Sequence, residues 1–240
     1  MRTCVIAPCT AQKRGEAPNP ALAADLADPA RRIVAEERLA AFACPAMYMY
    51  AGAHHRLVMT GLHAVWDRWG RETLDLAILS GGFGLLSAGE VIFPYDVSLD
   101  EFDGQDFYDW VSRLRIAEQA AALVQRYDLV FYLLHGRYLE ALSLPLGGCS
   151  SVQQIVFTGE EDLPRVPDGP EFQPIVAHGG KAAQRWHVKA PQVRGFLFER
   201  LCMQVALHGP DVLEWLAERP QETEQLFYKR ARWRPQYPLW

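Results

Sequence analysis

Three short segments of this chain gather side chains able to act as nucleophile, proton carrier or anion ligand. The first, Pro8-Cys9-Thr10-Ala11-Gln12-Lys13, sets a thiol and an amine four residues apart. The amine of Lys13 has two functional readings. As a fixed positive charge beside backbone amides it would bind phosphate or another anion, with Arg137 and Arg194 as partners. As a desolvated amine of lowered pKa it would attack a carbonyl or nitrile carbon. A solvated loop lysine is the alternative. Cys9 is a nucleophile or redox sensor if a cation lowers its pKa, and otherwise a small buried hydrophobe.

The second segment is Ser80-Gly81-Gly82-Phe83-Gly84, where three glycines follow one serine within four residues. Such a composition demands unusual dihedrals or close approach to the main chain. Ser80 would either donate its hydroxyl to a ligand or bond the backbone of its own turn. It is not the serine of a Gly-x-Ser-x-Gly elbow, which is absent. The third segment is His135-Gly136-Arg137-Tyr138. Pro94 fixes the backbone entering Tyr95-Asp96. Asp96 is the candidate to orient Lys13 or to serve as general base, against the reading of a turn or capping aspartate. Tyr138 is the other candidate for handling protons.

These segments need a frame that brings them to one place. Thr3 to Ala7, Leu74 to Leu79, Leu129 to Leu134 and Ser151 to Phe157 are apolar runs that read as buried strands, each ending at one of the loops or at another turn. Helical spacing recurs over Pro29–Phe42, Gly52–Arg71, Phe107–Arg126, Arg137–Leu144 and, in two or three pieces, Gln192–Arg232. Gly159 to Pro174, rich in Pro, Gly and acid, reads as a loop. The alternation predicts an α/β fold: a single domain over residues 1–240, with a mixed sheet flanked by helices and a helical C-terminal portion from about 192 to 240. Ligands of open α/β sheets bind outside the carboxyl ends of the strands, where all three segments would lie.

Composition narrows the partners. With 240 residues, 50% hydrophobic residues and a formal net charge of -5, the chain suits a globular domain and not a coat of positive charge on nucleic acid. Five cysteines without a Cys-x-x-Cys pair support neither a disulfide framework nor a thiolate zinc site. Adjacent His54 and His55 point apart on a helix, so with His63 they make no metal site, and no cofactor is expected. Lysine is scarce: only Lys13, Lys181, Lys189 and Lys229 among 24 basic residues. Scarcity makes each a candidate for work that needs an amine of tunable pKa. His178-Gly179-Gly180-Lys181 reads as an anion-binding loop or a plain surface loop. The tail from Phe227 to Trp240 interleaves cations with aromatics, among them Lys229, Arg230, Arg232 and Trp233. That pattern suits either contact with single-stranded nucleic acid or docking on the domain. No run is long enough to cross a bilayer and the start has no signal-peptide pattern, so a cytoplasmic protein without membrane attachment is expected.

Several of the same residues carry a family resemblance. Leu79-Ser80-Gly81-Gly82-Phe83-Gly84-Leu85-Leu86, followed by Phe93-Pro94-Tyr95-Asp96-Val97-Ser98-Leu99, resembles the signature of the YaaA (peroxide stress) family and its smaller DUF6884-like relatives. Leu133 to Tyr138, Arg194 to Arg200 and Ile6 to Lys13 are similar to further family segments in the same order, so the resemblance spans roughly residues 2–205. Family members tend to carry two lysines before the arginine-glycine pair; here Pro191-Gln192-Val193 stand there and the nearest amine is Lys189. Proline-cysteine, small residues and lysine also resemble the core domain of archaeosine synthases, whose lysine adds to the nitrile of a deazapurine. The continuation Arg14-Gly15 departs from that pattern.

The resemblance implies oxidative-stress protection and DNA binding. The expected site has Lys13, Asp96, Tyr138 and Cys9 for chemistry. Thr10, Ser80, Gly81, Gly82, Phe83, Gly84, Tyr95, His135, Arg137, Lys189 and Arg194 would contact the substrate, a nucleobase, nucleotide or DNA. Three activities stay open: nucleobase modification through Lys13, DNA binding without turnover, and thiol redox sensing at Cys9.

Overall fold

The computed structural model describes residues 1–14 and 17–228. Eight strands are β1 (Thr3–Pro8), β2 (Cys44–Pro45), β3 (Asp75–Ser80), β4 (Gly84–Ser87), β5 (Val91–Ile92), β6 (Leu129–Tyr132), β7 (Gln153–Thr158) and β8 (Phe172–Val176). The α-helices are α1 (Ala23–Ala27), α2 (Pro29–Leu39), α3 (Ala46–Met49), α4 (Ala53–Trp69), α5 (Gly104–Arg113), α6 (Ile116–Val124), α7 (Gly136–Glu140), α8 (Gly180–Trp186), α9 (Val193–His208), α10 (Asp211–Glu218) and α11 (Thr223–Tyr228). Six strands form one sheet in the order β4-β3-β1-β6-β7-β8, and β2 and β5 form a separate pair. The fold is thus the mixed α/β sheet flanked by helices that the alternation predicts.

All neighbours in the large sheet are parallel except β3 and β4. Burial on both faces explains the unbroken apolar runs: every residue of β1 and of β6 is buried. From β1 the chain adds β3 and β4 on one side, then crosses over to add β6, β7 and β8 on the other. The order therefore reverses at β1 and β6, the kind of switch point at which open α/β sheets take their ligands.

Two expectations are corrected. The helix expected over Phe107–Arg126 is two helices, because Arg115 takes a left-handed backbone with φ 52 between α5 and α6. The loop expected from Gly159 to Pro174 contains a 3-10 stretch over Glu160–Arg165 and the start of edge strand β8. A proline is tolerated there because an edge strand does not need every donor, so the Pro-rich composition masked it. The glycine segment ends β3 at Ser80, as expected, and turns the chain back into antiparallel β4. In the C-terminal region, helices run from Val193 to Tyr228, and the rest of the expected portion lies outside the described residues.

Helices α4 and α9 lie unusually close, and glycine on each explains it. A Cβ at Gly61 of α4 would stand 3.0 Å from the Glu199 backbone, and one at Gly195 of α9 would stand 2.8 Å from the His54 carbonyl oxygen. The contact buries Val193, Arg194, Leu197, Phe198, Leu201 and Cys202 of α9.

Candidate functional site at the strand ends

The three segments meet at the reversal point. Cys9 donates its backbone N–H to the Leu79 carbonyl at 2.9 Å and so holds the end of β1 to the end of β3. Its Sγ lies 3.2 Å from the Tyr138 hydroxyl, which stands 3.4 Å from Ser98 Oγ. Residues from the loops after β1, β5 and β6 are therefore in contact.

The loop that carries Lys13 is pinned along its backbone. Ala51 N–H donates to Gln12 at 2.9 Å, Arg14 N–H donates to Met49 at 2.6 Å, and Thr10 Oγ1 accepts from Gly52 N–H at 3.2 Å. The Lys13 amine is thereby held 4.2 Å from the centre of the Tyr95 ring, a cation–π distance, with the Ala11 carbonyl at 3.5 Å. Burial pushes its pKa below the ordinary lysine value, opposed by Cys9, Asp96 and Glu101. Asp96 itself is exposed and its backbone N–H donates to Ala21 at 2.8 Å. Its carboxylate acts on Lys13 through charge.

Beneath the amine lies a buried chain of hydroxyls. Ser80 Oγ accepts from the Gly82 and Phe83 amides at 3.2 and 3.1 Å and donates to the Tyr95 hydroxyl at 2.7 Å, which contacts the Tyr50 hydroxyl at 2.9 Å. Of its two expected roles Ser80 thus takes that of bonding the backbone of its own turn, and two amides of the glycine loop are already satisfied. The glycines serve packing. A Cβ at Gly81 would lie 2.6 Å from the Val97 carbonyl oxygen, and one at Gly82 would lie 2.6 Å from the Tyr95 ring. Phe83 packs edge-on against Tyr95 and Phe93, while Gly84 opens β4. Burial raises the phenol pKa values of Tyr50, Tyr95 and Tyr138 above the ordinary tyrosine value. At neutral pH they are protonated, so Tyr138 offers a hydrogen bond and not a base.

A second cluster sits at the neighbouring strand ends. The His135 ring, just after β6, stacks on that of His178, just after β8, with centroids 4.5 Å apart and planes 11° apart. Arg194 is 3% exposed and His54 is 8% exposed. Nε and Nη1 of Arg194, both ring nitrogens of His54 and Nδ1 of His178 have no hydrogen-bond partner among the described residues. The nearest buried carboxylate is already engaged: Asp162 accepts from Gly136 N–H at 2.7 Å and from Arg165 at 2.8 Å. Burial, then the charge of Arg194 and the His178 ring, push His135 down to about 3. His54 is lowered well below the ordinary value by burial first and Arg194 second. Burial also brings Arg194 down to about 10, opposed by Asp162 and Glu161.

The remaining predicted residues go elsewhere. Arg137 pairs with Glu140 at 3.2 Å and Asp103 at 3.3 Å, and lies 4.6 Å from the centre of the Phe107 ring, so its charge is already matched. Lys189 is exposed at the start of a 3-10 turn, and Lys181 pairs at the surface with Glu160. Lys229, Arg230, Arg232 and Trp233 lie outside the described residues. All five cysteines are free, and no group of three potential metal ligands occurs among the described residues.

Sequence reading missed Tyr50, Ser98 and His54 as members of these clusters. Gly52, whose Cβ would collide with Thr10 at 2.7 Å, was a usable sign that the start of α4 abuts the first loop. A concavity of about 690 Å³ lies at the opposite ends of the strands, beside Cys4 and Asp75, away from both clusters. No helix among the described residues is long and apolar enough to cross a membrane. No family model, curated protein or solved structure matches the chain.

Proposed function

We propose that this is a YaaA-like cytoplasmic protein whose strand-end site binds a nucleobase or nucleotide and whose reactive group is the amine of Lys13. The observation that carries the reading is the seat of that amine. It is partly buried, 4.2 Å from an aromatic centre, and lowered in pKa by desolvation. The Tyr95 ring and the charges of Cys9, Asp96 and Glu101 favour the ammonium form, and burial is larger than the effect of those charges. Here the neutral, nucleophilic form is favoured by burial.

In the reaction proposed, the neutral amine adds to an electrophilic carbonyl or nitrile carbon of the base. The nitrogen lone pair forms the new bond, the π pair moves to oxygen or nitrogen, and a proton passes from the amine to that atom. Addition to a carbonyl followed by loss of water leaves an imine. Tyr138 and Ser98 supply hydrogen bonds, while Asp96 is the carboxylate available to accept a proton. A role in oxidative-stress protection, as the family resemblance implies, belongs to the same proposal.

The test is affinity labelling with periodate-oxidised adenosine monophosphate, whose aldehydes form imines with lysine that cyanoborohydride fixes. Peptide mapping is expected to find Lys13 modified before Lys181 and Lys189, with protection by excess adenosine monophosphate. Equal labelling of all lysines, or labelling indifferent to the competitor, would overturn the reading. Salt-dependent DNA binding without any privileged reactivity of Lys13 would favour a non-catalytic DNA-binding protein instead.

A further inference from the structure

We propose that Arg194, His54 and His178 form a binding site for a phosphate group, distinct from the amine of Lys13. A guanidinium that is 3% exposed and has two nitrogens without a hydrogen-bond partner leaves a buried cation incompletely paired, with only the charges of Asp162 and Glu161 acting on it. That arrangement costs several kcal/mol unless an anion completes it. Around it stand three imidazoles; the buried carboxylate of Asp162 is held by Gly136 and Arg165, and Asp162 and the exposed Glu161 act on the guanidinium through charge without a hydrogen bond to it. The fold goes to some length to build this setting. Gly195 removes the Cβ that would strike the His54 carbonyl, so α9 seats on α4 and carries Arg194 inward.

The donors identify the ligand class. The planar guanidinium of Arg194 offers an oxyanion the unpaired N–H donors of two of its three nitrogens, Nε and Nη1. His54 and His178 add donors from two other elements, α4 and the segment after β8. Donors on three elements suit the tetrahedral oxygens of a phosphate better than the flat pair of a carboxylate. The backbone beside the cluster is uncrowded: a Cβ at Gly136, Gly179 or Gly180 would meet nothing within 4 Å. A three-histidine metal site is the competing chemistry, but no metal-holding group is found among the described residues, and the adjacent guanidinium repels a cation.

The site deepens the nucleotide reading without depending on covalent chemistry. Helix α7 links the two clusters, since His135 at its start stacks on His178 while Tyr138 contacts Cys9. A nucleoside phosphate could thus place its phosphate at Arg194 and its base toward Lys13.

Calorimetry and thermal unfolding of the full chain in inorganic phosphate, acetate, adenosine monophosphate and adenosine, at matched ionic strength, test this. Phosphate and the monophosphate are expected to bind saturably and to raise Tm, and Arg194→Met should weaken both by roughly 100-fold. In phosphate-free buffer Arg194→Met is expected to unfold at a higher temperature than the parent, whereas a structural arginine would give a lower one. Should that variant not fold, His178→Ala, at a less buried position, should weaken phosphate binding with little change in Tm. No saturable response of the parent to phosphate, an equal response to acetate, or undiminished binding in both variants would overturn the proposal. Lys13→Met should retain phosphate binding, so failure of this site and failure of the amine chemistry are read separately.

Discussion

The amine of Lys13 lies 4.2 Å from the centre of the Tyr95 ring, and the hydroxyl of that ring is held by Ser80 and Tyr50. A partly buried amine and a fully buried hydroxyl chain are thus two sides of one tyrosine. The face of Tyr95 belongs to the chemistry and its hydroxyl belongs to the fold.

Two opposed influences set the reactivity of Lys13, burial against the charges of Cys9, Asp96 and Glu101. Burial is the larger, so competitive acetylation followed by mass spectrometry over a pH series should place the Lys13 midpoint below the ordinary lysine value. Asp96→Asn removes a charge that favours the ammonium form and should lower the midpoint further. Because Asp96 is exposed and screened, the movement should be a few tenths of a pH unit, on the order expected for one solvated charge. A midpoint at or above the ordinary lysine value would remove the basis for a nucleophilic amine.

The hydroxyl chain should be worth more to stability than to reactivity. Ser80→Ala leaves the Gly82 and Phe83 amides and the Tyr95 hydroxyl without their shared partner, at a cost of about 2–4 kcal/mol. Tyr95→Phe deletes one hydroxyl, costs about 1–2 kcal/mol and keeps the ring face under Lys13. Urea unfolding should therefore rank the parent above Tyr95→Phe and Tyr95→Phe above Ser80→Ala, while labelling of Lys13 in Tyr95→Phe stays at the parental rate. If Tyr95→Phe loses labelling at unchanged stability, the division of labour is the reverse of that described.

What the sequence disclosed, and what it hid, follows one physical rule. Parallel strands buried on both faces leave unbroken apolar runs, so β1, β3, β6 and β7 and the convergence of their loops were legible. β8, an edge strand holding Pro174, carries no such run and was hidden. Among site residues, Cys9, Lys13, Ser80 and Tyr138 stand at ends of legible strands or one turn beyond. Arg194 and His54 are on helices, and their meeting depends on Gly61 and Gly195 admitting close packing between α4 and α9. One sequence does not announce such a tertiary contact. The glycine loop was legible as a place of close approach but not in its partners: two of its amides bond to Ser80, and its missing side chains make room for residues 95–98.

The histidine cluster gives the chain a specific sensitivity to acid. His54, His55, His135 and His178 all have pKa values lowered by burial, His135 to about 3, with Arg194 adding repulsion for His54, His135 and His178, while Glu161 and Asp162 partly offset it for His178. Between those lowered values and the ordinary 6.5, the unfolded chain binds protons that the folded chain does not. Stability contributed by the neutral rings is therefore complete above pH 6.5 and falls as the pH drops from there toward 3. Each fully shifted histidine adds up to about 1.4 kcal/mol per pH unit to the slope. Urea midpoints measured from about pH 7 to pH 5, above the range in which most carboxylates titrate, should decline steadily. His54→Gln, which cannot titrate, should make the decline shallower by one histidine. Phosphate should make it shallower too, because an anion beside Arg194 relieves the repulsion that keeps the rings neutral. Equal midpoints at pH 7 and pH 5 would mean that these rings are more solvated than their burial indicates, and the incompletely paired charge on Arg194 would lose its main consequence.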